Sequence, residues 1–214
     1  MPKLILLHGF LGDPSDWDKV ISLLPDFECE ALSYPFVIPQ EGILVGYSMG
    51  GRIASSYPHP KILISSHVGL VTKQEKLERK IWENKWHDVL TTQGLSTFLQ
   101  QWYEQPLFSL LKKSPNFPAI FQRRLKVNPT TALHQLETHS LATHSFCIPK
   151  NATFLCGAQD LKYTSLYTQL SLNPLFVEES SHACHLEKPE RCANLIRLCV
   201  ERMRNIPGHQ VPQR

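Results

Sequence analysis

Ile43-Leu44-Val45-Gly46-Tyr47-Ser48-Met49-Gly50-Gly51-Arg52-Ile53-Ala54 decides how this chain folds. The apolar run ending at Val45 reads as a buried strand and the residues after Ser48 read as a helix, so the G-x-S-x-G between them is the turn from one to the other. Glycines on both sides of the serine let the backbone bend sharply, and the serine hydroxyl is lifted above the edge of a sheet. A short Gly/Ser pattern can also be a packing device. What the rest of the chain supplies, and in what order, therefore matters.

Upstream, Lys3-Leu4-Ile5-Leu6-Leu7 is a second buried strand running into His8-Gly9-Phe10-Leu11-Gly12, a loop that can offer a backbone N–H to an oxyanion. Downstream, the strand at 153–157 ends near Asp160, and a last strand at 175–178 is followed by His182, in a loop before a helix that opens at Pro189. Ser48, Asp160 and His182 thus follow the Ser…Asp…His order of the α/β-hydrolase fold, each just after a strand. His185 competes for the base. His182 is preferred because Glu187-x-Pro189 follows it after four residues, and His185 is read as a supporting or surface residue. Cys184 is read as a small apolar filler rather than a nucleophile, since no strained turn presents it.

At 214 residues and 42% hydrophobic, the chain is long enough for one domain with an inserted piece. A formal net charge of +3, with no Lys/Arg run, argues against nucleic acid as a partner. The first strand opens at Lys3 and leaves no room for a signal peptide, and no apolar stretch approaches the ~20 residues of a membrane span. A cytoplasmic protein is expected. The six cysteines show no C-x-x-C pair and no zinc spacing; Cys192 and Cys199 are expected as core thiols, and no metal is implied.

The pattern changes in the middle of the chain. After a strand at 61–65, helical periods cover 74–90, 95–103, 117–126 and 129–141, punctuated by Pro106, Pro115, Pro118 and Pro129. Residues 72–143 are therefore expected as a helical cap inserted into a core of 1–71 and 144–214, covering Ser48 and selecting substrate. One connection is short: eight residues with two prolines, 35–42, join the strand at 27–34 to the Ser48 strand, where a parallel crossover normally uses a dozen or more. Eight extended residues reach ~26 Å and span a five-residue strand of ~17 Å, whereas eight helical ones reach only ~12 Å. The helix usually found before the Ser48 strand should be missing.

Basic residues come from separate segments: Arg52 after the turn, Arg79 and Lys80, Arg123, Arg124 and Lys126 in the insertion, Lys162 after Asp160. Charged helix faces are usually just solvated, and Glu75 with Arg79 suits a surface i,i+4 pair. The spread of basic residues still makes a polyanionic substrate worth considering.

Several segments together resemble the MenH family, the 2-succinyl-6-hydroxy-2,4-cyclohexadiene-1-carboxylate synthases of menaquinone biosynthesis. They are Leu7-His8-Gly9-Phe10-Leu11-Gly12 with Asp16-Trp17, Val45 through Arg52, Trp102-Tyr103-Glu104-Gln105-Pro106-Leu107-Phe108, Cys156 through Tyr163, and His182 through Pro189. The resemblance implies a mostly parallel sheet flanked by helices with an inserted helical cap, and a lyase that eliminates pyruvate without metal or organic cofactor. It implies Ser48, Asp160 and His182 as catalytic residues and the Phe10 and Met49 amides as oxyanion hole. Tyr47, Arg52, Arg79, Trp102, Tyr103 and Arg124 would bind a small polycarboxylate, with Lys80 or Arg123 as neighbours able to replace the two cap arginines. The chain departs from the family in having Ser33-Tyr34-Pro35 where a D-x-P-G-H-G-type segment is usual, and Ser181 where Gly usually precedes the histidine. A carboxylesterase or thioesterase working through an acyl-serine uses the same triad and is the alternative. An inactive binding module is the non-enzyme rival, opposed by the intact triad.

Overall fold

Four apolar runs become the centre of a six-stranded sheet because each is long enough for a strand and is buried on both faces. In the computed structural model, which describes residues 1–204, the strands are β1 (Lys3–Leu7), β2 (Glu28–Leu32), β3 (Ile43–Tyr47), β4 (Lys61–Ile64), β5 (Ala152–Gly157) and β6 (Leu175–Val177). Their order is β2-β1-β3-β4-β5-β6 and all five pairings are parallel. Leu4, Ile5, Leu6 and Leu7, with Leu44, Val45, Ile62 and Ile64, are fully enclosed. Each such side chain contributes about 1.5–3 kcal/mol through burial. The helices of this unit are α1 (Asp18–Ser22), α2 (Met49–Ser55), α7 (Leu161–Gln169), α8 (Cys184–Glu187) and α9 (Pro189–Arg204).

Strand β3 lies between β1 and β4, with Gly46 opposite both Leu7 and Leu63. A parallel arrangement forces every crossover to return to the same end, so the loops leaving β1, β3, β4, β5 and β6 gather along one edge. That edge is where ligands bind in open α/β sheets. No helix forms between β2 and β3. The chain returns instead through a segment whose Phe36 packs edge-on against His8, ring centroids 4.8 Å apart, and whose Pro39 carbonyl accepts from His59 Nε2 at 2.9 Å.

The chain divides into two compact units: Met1–Ser66 with the chain from Pro149 onward, and His67–Ile148. The second is helical, built from α3 (Lys73–Trp102), α4 (Ser109–Lys113), α5 (Phe117–Arg124) and α6 (Pro129–Thr138). Helix α3 starts at a capping box: the Thr72 hydroxyl accepts from the Glu75 N–H at 3.1 Å, and the Glu75 carboxylate accepts from the Thr72 N–H at 2.7 Å. These bonds hold the Glu75 carboxyl below its ordinary pKa. Glu75 is thus occupied at the cap. The expected Glu75–Arg79 pair is replaced by Arg79 donating from Nε to Glu83 at 2.7 Å. The two helices expected at 74–90 and 95–103 form one span, interrupted at Gly94, whose φ of 78° leaves the helical region.

Aromatic side chains form the core of this unit. Trp86 meets Phe98 and Trp102 at 5.4 and 5.0 Å, and Phe98 stacks on Trp102 at 5.5 Å. Tyr103 packs against Phe108 and Phe117 at 5.0 and 5.2 Å. Glu83 accepts from Arg79, from the Ser140 hydroxyl and from the Leu141 N–H, which ties α3 to the segment after α6.

Candidate active site

Ser48 is both the last residue before α2 and the point where the chain turns, and its backbone (φ 52°, ψ −109°) is one that a non-glycine residue seldom adopts. The turn is clamped on two sides. The Ser48 N–H donates to the Ile64 carbonyl at 2.9 Å, and the Ser48 carbonyl accepts from the Arg52 N–H and from Ser66 Oγ, both at 3.1 Å. Ser66 is fixed in turn by Tyr167, whose hydroxyl accepts from the Ser66 N–H at 2.7 Å and donates to its carbonyl at 2.8 Å. Burial raises the Tyr167 pKa well above its ordinary value, so this hydroxyl keeps its proton.

Gly50 permits the closeness of the turn to β1. A Cβ there would stand 2.5 Å from the Leu7 carbonyl oxygen and 2.4 Å from that of His8, both backbone atoms that cannot swing aside. The first turn of α2, with the Met49 N–H, therefore lies against the end of β1. There the Gly12 N–H donates to the Gly9 carbonyl at 3.0 Å and closes a turn carrying Phe10 and a left-handed Leu11 (φ 63°). The opening amides of a helix have no partner within it. Met49 follows Ser48 as the first residue of α2, and Phe10 lies within the turn closed between Gly9 and Gly12.

His182 reaches Ser48 from the other side. Its Nε2 lies 3.3 Å from Ser48 Oγ, and its Nδ1 lies 2.9 Å from Asp160 Oδ2. With a carboxylate at Nδ1 the proton sits on that nitrogen, leaving Nε2 to accept from the serine hydroxyl. The longer contact is of the kind that tightens when substrate binds. Asp160 precedes α7 and uses its other oxygen to accept from the Tyr163 N–H at 3.3 Å. The carboxylate is therefore held at both ends, and Asp160 and His182 are both buried. The rings of Tyr47 and Tyr163 lie 5.3 and 5.1 Å from the His182 ring and restrict its tilt.

The loops bearing Asp160 and His182 lock onto one another. Gln159 N–H donates to the Ser180 carbonyl at 2.9 Å, Ala158 N–H to the Val177 carbonyl at 3.0 Å, and Ser180 Oγ to the Val177 carbonyl at 2.7 Å. Gly157 lets them approach: a Cβ there would meet the Ser181 carbonyl oxygen at 2.1 Å.

His185 is not a surface residue. It is fully buried, its ring 4.6 Å from Trp17 and 4.3 Å from Tyr47. Cys184 is buried beside Cys192, and the hydrogen bond with that thiol together with burial raises its pKa far above the ordinary value. Burial pushes the Cys156 and Cys199 thiols up to about 12. Nucleophilic cysteine needs a thiolate, so these thiols are inert at neutral pH. Cys192 and Cys199 are core thiols, as their helical spacing indicates.

The remaining residues singled out in the sequence fall in both units. Arg52 is half-buried on α2, one turn after Ser48. Arg79 is partly exposed on α3, with its guanidinium 4.1 Å over the Trp82 ring. Arg124 is buried in the last turn of α5, and Trp102 and Tyr103 belong to the aromatic core of the helical unit.

No family model matches the chain. A 2-succinyl-6-hydroxy-2,4-cyclohexadiene-1-carboxylate synthase of Pectobacterium atrosepticum is 26% identical to it over 235 residues, covering 92% of each protein. Among solved structures, MenH from S. aureus superposes with a TM-score of 0.84 at 20% identity, covering 95% of both chains. The chain is a homologue of the MenH-type synthases. A thermophilic esterase from Thermogutta terrifontis is more distant, with a TM-score of 0.69 at 18% identity over 94% of this chain and 90% of that one, and shares the fold. The α/β-hydrolase fold follows from the structure and from both neighbours. Among the described residues, no helix is long and apolar enough to cross a membrane.

Proposed function

We propose that the chain is a lyase of menaquinone biosynthesis. It would eliminate pyruvate from 2-succinyl-5-enolpyruvyl-6-hydroxy-3-cyclohexene-1-carboxylate, giving 2-succinyl-6-hydroxy-2,4-cyclohexadiene-1-carboxylate. The observation that carries this reading is the Ser48–His182–Asp160 hydrogen-bond chain, at 3.3 and 2.9 Å, in a homologue of the MenH-type synthases. Ser48 passes its proton to His182 Nε2, and the imidazolium is stabilised by Asp160. The serine oxygen then removes a ring C–H proton. The electron pair moves into the succinyl carbonyl, the C–O bond to the enolpyruvyl group breaks, and pyruvate leaves as its enol form. The Phe10 and Met49 amides stabilise the charge on the carbonyl oxygen, and loss of one such donor typically lowers the rate by ~10²–10³.

Carboxylates on the ring, the succinyl arm and the leaving group give cations a role, and Arg52, Arg79 and Arg124 are the residues proposed to meet them. Arg79 is suited to this by its own helix. Glu83 takes its Nε and Trp82 supports the guanidinium face, so among the described residues both terminal amino groups remain for a carboxylate. Tyr47, Trp102 and Tyr103 complete the proposed binding set. A cytoplasmic enzyme acting on a small polycarboxylate, rather than on nucleic acid, suits this chemistry.

The test is release of pyruvate from the enolpyruvyl substrate, followed by a coupled dehydrogenase, with ring-deuterated substrate slowing the chemical step. Replacing Arg52, Arg79 or Arg124 with Ala should raise KM or lower kcat/KM strongly. No pyruvate, together with a burst of about one leaving group per site from an activated ester, would transfer the assignment to an acyl-serine esterase.

A further inference from the structure

The loop that carries His182 has a partner outside the triad. Glu187 ends the single turn of α8, and its Oε2 accepts from the Ser181 N–H at 2.5 Å. On the other side of His182, the Ala183 carbonyl accepts from the amides of Leu186 and Glu187 at 2.8 and 3.0 Å. The backbone ahead of the histidine is thus held by the Glu187 carboxylate, and the backbone after it by the Leu186 and Glu187 amides. Oε1 of Glu187 is enclosed and has no hydrogen-bond partner among the described residues.

We propose that Glu187 is a positioning residue, whose carboxylate grips the Ser181 amide just ahead of His182 and keeps the imidazole aligned between Asp160 and Ser48. The inference rests on the Ser48–His182–Asp160 reading made above. Three further observations favour it. Ser181 directly precedes His182, and the backbone after it is fixed through the Ala183 carbonyl, so slack at the Ser181 amide becomes tilt of the ring. Gln159 holds the same loop from the Asp160 side through the Ser180 carbonyl, and Gly157 leaves room for the Ser181 carbonyl, whereas the Ser181 N–H is gripped by Glu187. Finally, the carboxylate is kept although its burial and the charge of Asp160 push its pKa up to about 6. A side chain needed only to fill space would be better placed there as an apolar group.

A fluorophosphonate probe reads this alignment without reference to the natural substrate. Ser48 Oγ attacks phosphorus, fluoride leaves, and His182 takes the serine proton, so the labelling rate reports the serine–histidine geometry. Glu187→Met keeps the length of the side chain and removes its acceptors. It should label about 10- to 100-fold more slowly per folded molecule, the scale expected when a catalytic group is misplaced by about 1 Å. Glu187→Gln keeps an amide oxygen for the Ser181 donor and should recover to within about threefold of wild type. Pyruvate release should fall with KM little altered, because the contact orients the base and not the substrate. Folding is checked by near-UV circular dichroism, and Glu187→Ala serves in place of the Met variant if that one does not fold. Wild-type labelling rates in folded Glu187→Met or Glu187→Ala overturn the proposal. Failure of wild-type protein to label at Ser48 removes the triad reading, and the clamp with it.

Discussion

Replacing Gly157 with alanine should misalign the active site while barely altering the strand that carries it. The added Cβ would stand 2.1 Å from the Ser181 carbonyl oxygen and 2.5 Å from that of Ser180, whereas ordinary contact begins at 3.4 Å. Neither is a flexible side-chain end. The loop must therefore withdraw by roughly 1 Å, a displacement large enough to lower catalysis about 100-fold when it moves a reacting group. It has little freedom to absorb the shift, being held at the Ser180 carbonyl and the Ser181 N–H. His182 moves with the loop, stretching a 2.9 Å hydrogen bond to Asp160. Overpacking of this kind typically costs about 1–3 kcal/mol of stability. Urea denaturation followed by far-UV circular dichroism measures that loss, and steady-state turnover at a concentration where the variant stays folded measures the rest. A Gly157→Ala protein that is folded and turns over like wild type would refute the claim that contact between the two loops sets the Asp160–His182 geometry.

Three other outcomes are expected. Ser48→Ala, Asp160→Asn and His182→Ala should each remove most turnover, roughly 10³-fold or more, with melting temperatures near wild type, because one proton-transfer unit is lost in each case; greater damage from a folded His185→Ala protein would reassign the base. Ser48→Gly should abolish turnover yet stabilise the fold by about 1 kcal/mol, since glycine adopts φ 52° without the strain a side chain suffers, and a melting temperature below wild type would show that the turn is unstrained. Glu187→Gln should stabilise the protein at pH 7: a carboxyl raised from 4.5 to about 6 contributes stability that is complete below pH 4.5 and is lost as pH rises through 6, a loss of about 2 kcal/mol that glutamine does not suffer. Denaturation midpoints of the two proteins should accordingly diverge between pH 4.5 and 7, and parallel curves would mean that Glu187 titrates normally.

How far the sequence could be read followed the strength of its periodic signals. Strand β1 begins and ends at Lys3 and Leu7 as the apolar run does, and the absence of a helix between β2 and β3 follows from chain reach alone. Strand β2 is shorter than the 27–34 expected, being confined to Glu28–Leu32 ahead of Pro35. The short helices α4 and α8 escaped notice because five and four residues give no period to detect. Arg79 has a glutamate four residues away on each side. Spacing cannot choose between them; the choice is made by Thr72, which engages Glu75 in the helix cap, and by burial of Glu83. His185 differs from His182 by one turn of chain, and only the packing of Trp17 and Tyr47 reveals that it is core. The grip of Glu187 on Ser181 had its signal in the Glu-x-Pro after His182, but a motif does not say which atoms it joins.

Half of the left-handed non-glycine residues among the described residues follow the central strands on which the chemistry is proposed. Leu11, Ser48 and Ser65 have φ of 63°, 52° and 45°, and each follows the end of a central strand: β1, β3 or β4. Such backbones cost about 1–3 kcal/mol apiece. Ser65 is also fully buried with a hydroxyl that has no partner among the described residues, a further penalty at the same edge. The strands beneath offset these costs with side chains of no catalytic use, Leu4 to Leu7, Leu44, Val45, Ile62 and Ile64, all enclosed in the parallel sheet. This division of labour has a structural reason. Hydrogen bonds between β1, β3 and β4 fix three strand ends in register, so the turns leaving them cannot relax separately. Ser48 is consequently held in unfavourable backbone before any substrate arrives, so its hydroxyl needs no reorganisation to take up the proposed role.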